Sequence, residues 1–315
     1  MGAPPPSADD PADDPADHDA VRALVEGVLA WHRPDDRDLP WRAPGTTPWG
    51  ILLSEVMAQQ TQAERVAGRW VELVERFPDP SAMAEAAPAE VIDLWVGLGY
   101  NRRAVNLHRA AVVMVERHGG EVPDDLDGLL ALPGVGPYTA RAVLAFAFDR
   151  DVVPVDTNVA RVVARHTGRV LDRADAQALA DGAVRWGRGA ATAAALMDLG
   201  ATVCRARTPA CEGCPVMATC SWAGGPEEDP AGRGAHRPRP QGRFEGSARQ
   251  ARGRIIAAAR AGLLEGGAAL ELAGEHGEAV LDALVADGLV VRSGRGFALP
   301  GTTGKSRDGE RDRED

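Results

Sequence analysis

Leu132-Pro133-Gly134-Val135-Gly136-Pro137-Tyr138-Thr139-Ala140 is the stretch whose reading decides the fold. Upstream, Leu126, Leu129 and Leu130 give a short apolar helix. Pro133 disfavours the helical region for Leu132 and ends that helix. Gly134 and Gly136 permit a tight turn with exposed backbone. Pro137 fits the first turn of a second helix through Ala142, Val143 and Ala147. The turn aims backbone N–H groups outward at a helix N-terminus, an arrangement that suits a phosphate oxygen without any basic side chain. It would grip a nucleic-acid backbone without reading sequence. An ordinary helix–turn–helix corner has the same look.

Outward from this hairpin, apolar residues recur at helical spacing. Val21, Leu24, Val25 and Val28 mark a helix to Trp31, and from Pro48 to Val203 nearly every segment reads as helix. Strand signals are short, so the body is expected to be all-α. Residues 1–18 are Pro, Ala and Asp repeats, expected to be disordered. Residues 223–244, rich in Gly, Pro and Arg, read as a linker. Within 245–300, Ile255–Ala261 and Glu278–Ala286 look helical, and Leu289–Arg292 with Phe297–Leu299 form a hairpin, which together resemble a small winged-helix unit. Residues 301–315 are of mixed charge and expected to be disordered. No stretch approaches the length of a membrane span.

All four cysteines of the 315 residues, Cys204, Cys211, Cys214 and Cys220, fall in one window. Disulfides need an oxidising compartment, and the N-terminus has neither a basic start nor an apolar run. Four thiolates suit zinc or an iron–sulfur cluster. Zinc ribbons favour paired C-x2-C knuckles, and only Cys211 and Cys214 form one. The spacing leans to the cluster and leaves zinc open.

Two carboxylates stand out. Asp156, in Val155-Asp156-Thr157-Asn158-Val159, follows the hairpin helix and could cap the next one. Glu55 sits in the apolar run Ile51-Leu52-Leu53-Ser54-Glu55-Val56-Met57, where burial would raise its pKa and favour an acid role; a solvated face is the plainer alternative. Gln59 and Gln60 follow one turn later, so Gln59 is expected to share the Glu55 face. Cleaving an N-glycosidic bond needs an acid for the leaving base and an anion for the cationic sugar, and two carboxylates can divide that work. The net charge of −11 means that any DNA contact must be local.

With Leu39-Pro40-Trp41-Arg42, LLSEVMAQQTQ (52–62), LWVGLGY (94–100), LPGVGPYTA (132–140), VDTNVARV (155–162), MDLGATVC (197–204) and the four cysteines in that order, the chain resembles the helix–hairpin–helix, endonuclease III-like iron–sulfur DNA glycosylases. Within them it is most similar to the A/G-specific adenine DNA glycosylases. The resemblance spans about residues 20–222. It implies two helical lobes with a substrate cleft between them: a six-helix barrel over 48–155, and a cluster lobe from 19–47 with 156–222. It implies a 4Fe–4S cluster on Cys204, Cys211, Cys214 and Cys220. Glu55 would protonate the adenine and then help to position water, and Asp156 would stabilise the sugar cation. Tyr138 stands where bifunctional relatives carry a lysine. A phenol cannot form the Schiff base that strand cleavage requires, so a monofunctional enzyme leaving an abasic site is implied. Gln59 and Tyr100 would wedge into the duplex as the base flips out. Gln60 and Asn158 would join the DNA contacts, and Gly134, Val135 and Gly136 would hold phosphate. The implied partner is double-stranded DNA with A·8-oxoguanine or A·G mispairs, met by a monomer in the cytoplasm at the nucleoid.

Two departures are visible. The unit at 245–300 is too short for the 8-oxoguanine-reading domain that many adenine glycosylases carry after the cluster. Asn101 stands where a second Tyr is usual. Arg249, Arg252, Arg254 and Arg260 could instead meet phosphates, or simply form a solvated basic face. A thymine or uracil mismatch glycosylase on the same fold, and a noncatalytic iron–sulfur DNA-binding protein, are the alternatives.

Overall fold

The computed structural model describes residues 14–33, 37–184, 188–234 and 242–302. In chain order the α-helices are α1 (Pro15–Trp31), α2 (Pro48–Ala58), α3 (Ala63–Arg76), α4 (Pro80–Glu85), α5 (Pro88–Leu94), α6 (Arg102–His118) and α7 (Leu126–Leu130). The order continues with α8 (Pro137–Phe148), α9 (Thr157–Thr167), α10 (Arg173–Ala183), α11 (Gly189–Thr202), α12 (Ala248–Arg260), α13 (Gly266–Ala273) and α14 (Gly277–Ala286). Three short strands accompany the last helices: β1 (Leu264–Glu265), β2 (Val291–Ser293) and β3 (Gly296–Ala298). The main body is helical, as the periodicity requires.

The punctuation of the sequence explains these boundaries. Thr47 and Asp79 accept backbone N–H groups in the first turns of α2 and α4, each with a Pro as first helical residue. Asp14 does the same for α1, accepting from the Ala16 N–H at 2.9 Å. Residues 15–18, expected to be disordered, are therefore helical, and Asp17 is buried and ion-paired with Arg169. The first thirteen residues and 303–315 lie outside the described residues, as do 235–241 of the expected linker.

The chain divides into two compact units. One holds residues 1–38, 124–130 and 135–239. Its core joins Val21, Leu24, Val25 and Val28 of α1 to Val159 and Val163 of α9, Leu179 of α10, and Leu196 and Leu199 of α11. The other holds 39–123, 131–134 and 240–315. In it Trp49, Leu52, Leu53 and Met57 of α2 are buried. The Trp49 indole donates to the Phe77 carbonyl at 2.9 Å.

In the C-terminal segment the observed elements exceed the expected ones. α12 begins at Ala248, capped by Ser247, and α13 and β1 had no sequence signal. The sheet order is β1-β3-β2, all antiparallel, with Leu264 opposite Phe297 and Val291 opposite Ala298. Ile255, Leu281, Leu284, Leu289 and Phe297 are buried within it.

Candidate active site and cysteine cavity

Asp156 is the N-cap of α9. Its Oδ1 accepts the N–H groups of Asn158 and Val159 at 2.8 and 2.7 Å. Its Oδ2 accepts the Asn158 side-chain amide at 2.8 Å. Both oxygens are thereby fixed by hydrogen bonds at the N-terminus of α9. One turn on, the buried guanidinium of Arg161 donates to Asn158 Oδ1 at 2.9 Å, the Gly200 carbonyl at 2.8 Å and the Cys204 carbonyl at 2.9 Å. α9 and α11 approach so closely here that a Cβ on Gly200 would stand 2.8 Å from Asn158 Cβ. Capping and an oriented carboxylate are thus one arrangement, not rival readings.

Glu55 lies on α2, half-buried between the buried residues Ser54 and Val56. It belongs to the unit of residues 39–123, and Asp156 to the other. α2 ends at Ala58, so Gln59 leaves the helical face shared with Glu55. Arg103 is the reason. Its buried guanidinium takes the carbonyls of Val56, Met57 and Gln59 at 3.0, 2.7 and 2.6 Å, terminating the helix with a charge. It also donates to Thr61 Oγ1, Leu98 O and Gly99 O at 2.9–3.1 Å. Its carbon centre lies 5.7 Å from the Tyr100 ring centroid. Burial lowers the Arg103 pKa to about 10, with Tyr100 opposing, so the charge persists at neutral pH. The turn carrying Gln59 and Gln60 and the turn carrying Tyr100 are tied to one cation. Gln60 and Tyr100 have φ of 58° and 49°, strained values for residues with a Cβ. Tyr100 remains 40% exposed.

At the hairpin, Gly134 has φ 82° and would bring a Cβ within 2.8 Å of Asn106 Cβ. Only glycine meets both demands. The Gln59 side chain donates to the Gly134 carbonyl at 3.3 Å. Gly136 is the N-cap of α8 and supplies no capping side chain. Val135 is buried, and Tyr138 sits half-buried in that first turn.

The four cysteines are unbridged and line one recess, partly open to solvent, with Arg165, Val203, Pro209, Met217 and Trp222. Among the described residues, no three His, Cys, Asp or Glu side chains gather tightly enough for a single ion. Arg165 donates to Cys204 Sγ at 3.4 Å, and the Ala223 N–H to Cys220 Sγ at 3.3 Å. Burial, then the neighbouring cysteines, pushes the Cys211 thiol up, and burial does the same to Cys214. The start of the expected linker closes this region. Asp229 accepts from Arg165 at 2.6 Å, and Trp222 stacks on the same guanidinium at 4.6 Å. Burial disfavours the Asp229 carboxylate, but Arg165 outweighs it and holds the group below its usual range.

Sequence reasoning missed Arg103, Arg161 and Arg165. It also missed Asp198, which receives the Arg37 guanidinium at 3.1 Å and meets His32 Nε2 at 2.9 Å. Arg161 and Asp198 fall inside the quoted motifs and Arg103 and Arg165 outside them; most of their partners lie far along the chain.

Residues 53–181 match the HhH-GPD superfamily of base excision DNA repair proteins. An adenine DNA glycosylase of Mycobacterium tuberculosis is 45% identical over 292 residues, covering 87% of this chain and 92% of that one. The chain belongs to the adenine DNA glycosylase family. This likeness covers more residues than 1–222 contain, so it reaches into the C-terminal unit. Among solved structures, a thermostable thymine-DNA glycosylase is 30% identical with a TM-score of 0.62, over 66% of this chain and 99% of that one. An endonuclease III–DNA covalent intermediate, 23% identical with a TM-score of 0.57 over 66% and 97%, shares the fold. The helix–hairpin–helix glycosylase fold is thus the one the motifs implied. Among the described residues no helix is long and apolar enough to cross a membrane.

Proposed function

We propose that this member of the family hydrolyses the N-glycosidic bond of adenine mispaired with 8-oxoguanine or guanine in double-stranded DNA, leaving an abasic site. The observation that carries the reading is the Asp156 carboxylate, fixed at both oxygens beside the α9 N-terminus. A rigid anion there suits a sugar cation and needs no reorganisation as charge develops. Glu55 donates its proton to a ring nitrogen of adenine. The C1′–N9 bond breaks with its electron pair going to the base, and the sugar becomes an oxocarbenium ion beside Asp156. Water then adds at C1′, and its proton returns to Glu55. Tyr138 has no amine to capture the sugar, so the reaction stops at the abasic site.

The hairpin N–H groups, with Gly134, Val135 and Gly136, grip phosphate, joined by Gln60 and Asn158, while Gln59 and Tyr100 fill the stack left by the flipped base. Cys204, Cys211, Cys214 and Cys220 would hold a 4Fe–4S cluster: the donor set is four thiols round one cavity with N–H groups on two sulfurs, which fits that group. Bound there, the cluster would fold the loop and take no part in hydrolysis.

The amide variants D156N and E55Q test the reading. Each should lose base release while still binding mispaired duplex; full activity in D156N would overturn the mechanism. The lower-identity likeness to a thymine-DNA glycosylase favours a pyrimidine substrate as the second reading.

A further inference from the structure

We propose that the C-terminal unit is a positioning brace for the loop that carries Tyr100, rather than a second DNA-reading module. The inference rests on the reading of Tyr100 as the residue that enters the duplex. The loop from Trp95 to Asn101 runs between α5 and α6, and the C-terminal unit holds both helices at its edges. On the α5 side, Arg260 donates to Asp93 Oδ1 at 2.7 Å, two residues before Trp95. At the other end of α5 the Ala89 N–H donates to the Pro300 carbonyl at 3.1 Å. On the α6 side, Asp287 receives Arg252 and stands 3.5 Å from Arg102, two residues after Tyr100.

The chemistry of the unit argues against a nucleic-acid role. Two of the four arginines that could have met phosphates, Arg252 and Arg260, are committed to carboxylates. Arg292 is paired with Asp282. α14, the helix before the hairpin, carries Glu278 and Asp282 and neither Lys nor Arg, the wrong sign for a helix in a groove.

What the loop needs is rigidity. Tyr100 holds φ 49°, a conformation that persists only where its surroundings over-determine it. Arg103 fixes the loop from inside through Leu98 and Gly99. The C-terminal unit fixes the two helix ends from outside. Arg260 and Asp287 are therefore positioning residues that act through α5 and α6 and do not touch the base.

The test uses the full chain with R260E, the charge-restoring pair R260E/D93R, and Y100A as control. One readout is adenine release in single turnover. The other is the fluorescence of 2-aminopurine beside an A·G mispair, which rises when stacking opens. Thermal melting reports folding. The brace predicts that R260E melts cooperatively, loses the fluorescence rise and releases adenine roughly tenfold more slowly, and that R260E/D93R recovers both. A full rise in R260E, where Y100A abolishes it, overturns the brace and leaves the wedge standing. A full rise in Y100A overturns the wedge and the brace with it. If R260E does not fold, D287N is read against the same outcomes.

Discussion

Arg161 donates Nη2 to Asn158 Oδ1 at 2.9 Å, and Asn158 in turn donates its amide to Asp156 Oδ2 at 2.8 Å. The same guanidinium holds the carbonyl of Cys204, the first residue of the cysteine cavity. One cation thus sets the orientation of the proposed sugar-stabilising carboxylate and the start of the cysteine loop. Arg161→Leu would leave the Asn158, Gly200 and Cys204 oxygens without this donor. Each buried acceptor so orphaned costs about 1–3 kcal/mol. The expected outcome is a lower urea midpoint together with adenine release slowed at least tenfold, about 1.4 kcal/mol or more in barrier. Unchanged release in a destabilised protein would separate the two roles.

Gly134→Ala tests the hairpin. The added Cβ meets a φ of 82° and Asn106 at 2.8 Å, so the turn must shift. Duplex affinity should fall about tenfold whatever the sequence, roughly 1.4 kcal/mol, because phosphate contacts position without specifying. Titration of matched and mispaired duplexes should show parallel losses.

This hairpin was legible because proline and glycine act locally: Pro133, Gly134 and Pro137 constrain the backbone wherever they occur. The cap at Asp156 was legible for the same reason. Arg103 and Arg161 were not, since most of what they hold is backbone carbonyls brought near by folding, Val56 to Gln59 for one and Gly200 and Cys204 for the other. α13 opens on two glycines and β1 has only two residues, so neither leaves a periodic trace. Asp14-Pro15 is a helix start in plain sight, obscured by the repetitive Pro, Ala and Asp composition round it.

Tyr138→Lys would place an amine in the first turn of α8, at the position where a Schiff base could form. The variant should gain strand scission without alkali and become trapped on DNA by borohydride. The unaltered protein should show neither.

His166 gives a pH signature of folding. It is 1% exposed, and burial lowers its pKa from 6.5 to about 4 against the opposing Ala20 carbonyl. The unfolded chain takes up this proton below pH 6.5 and the folded chain only near pH 4. Stability should therefore fall with pH across that window, by up to about 3 kcal/mol from this group. His166→Leu should flatten that part of the slope in urea titrations at successive pH values.

The central claim is that adenine alone is excised, without strand cleavage. The direct measurement incubates the protein with duplexes carrying A opposite 8-oxoguanine, A opposite G, T opposite G and U opposite G, each developed with and without alkali. The account predicts breaks only in the two adenine duplexes and only after alkali. Release of T or U, or breaks without alkali, would contradict it.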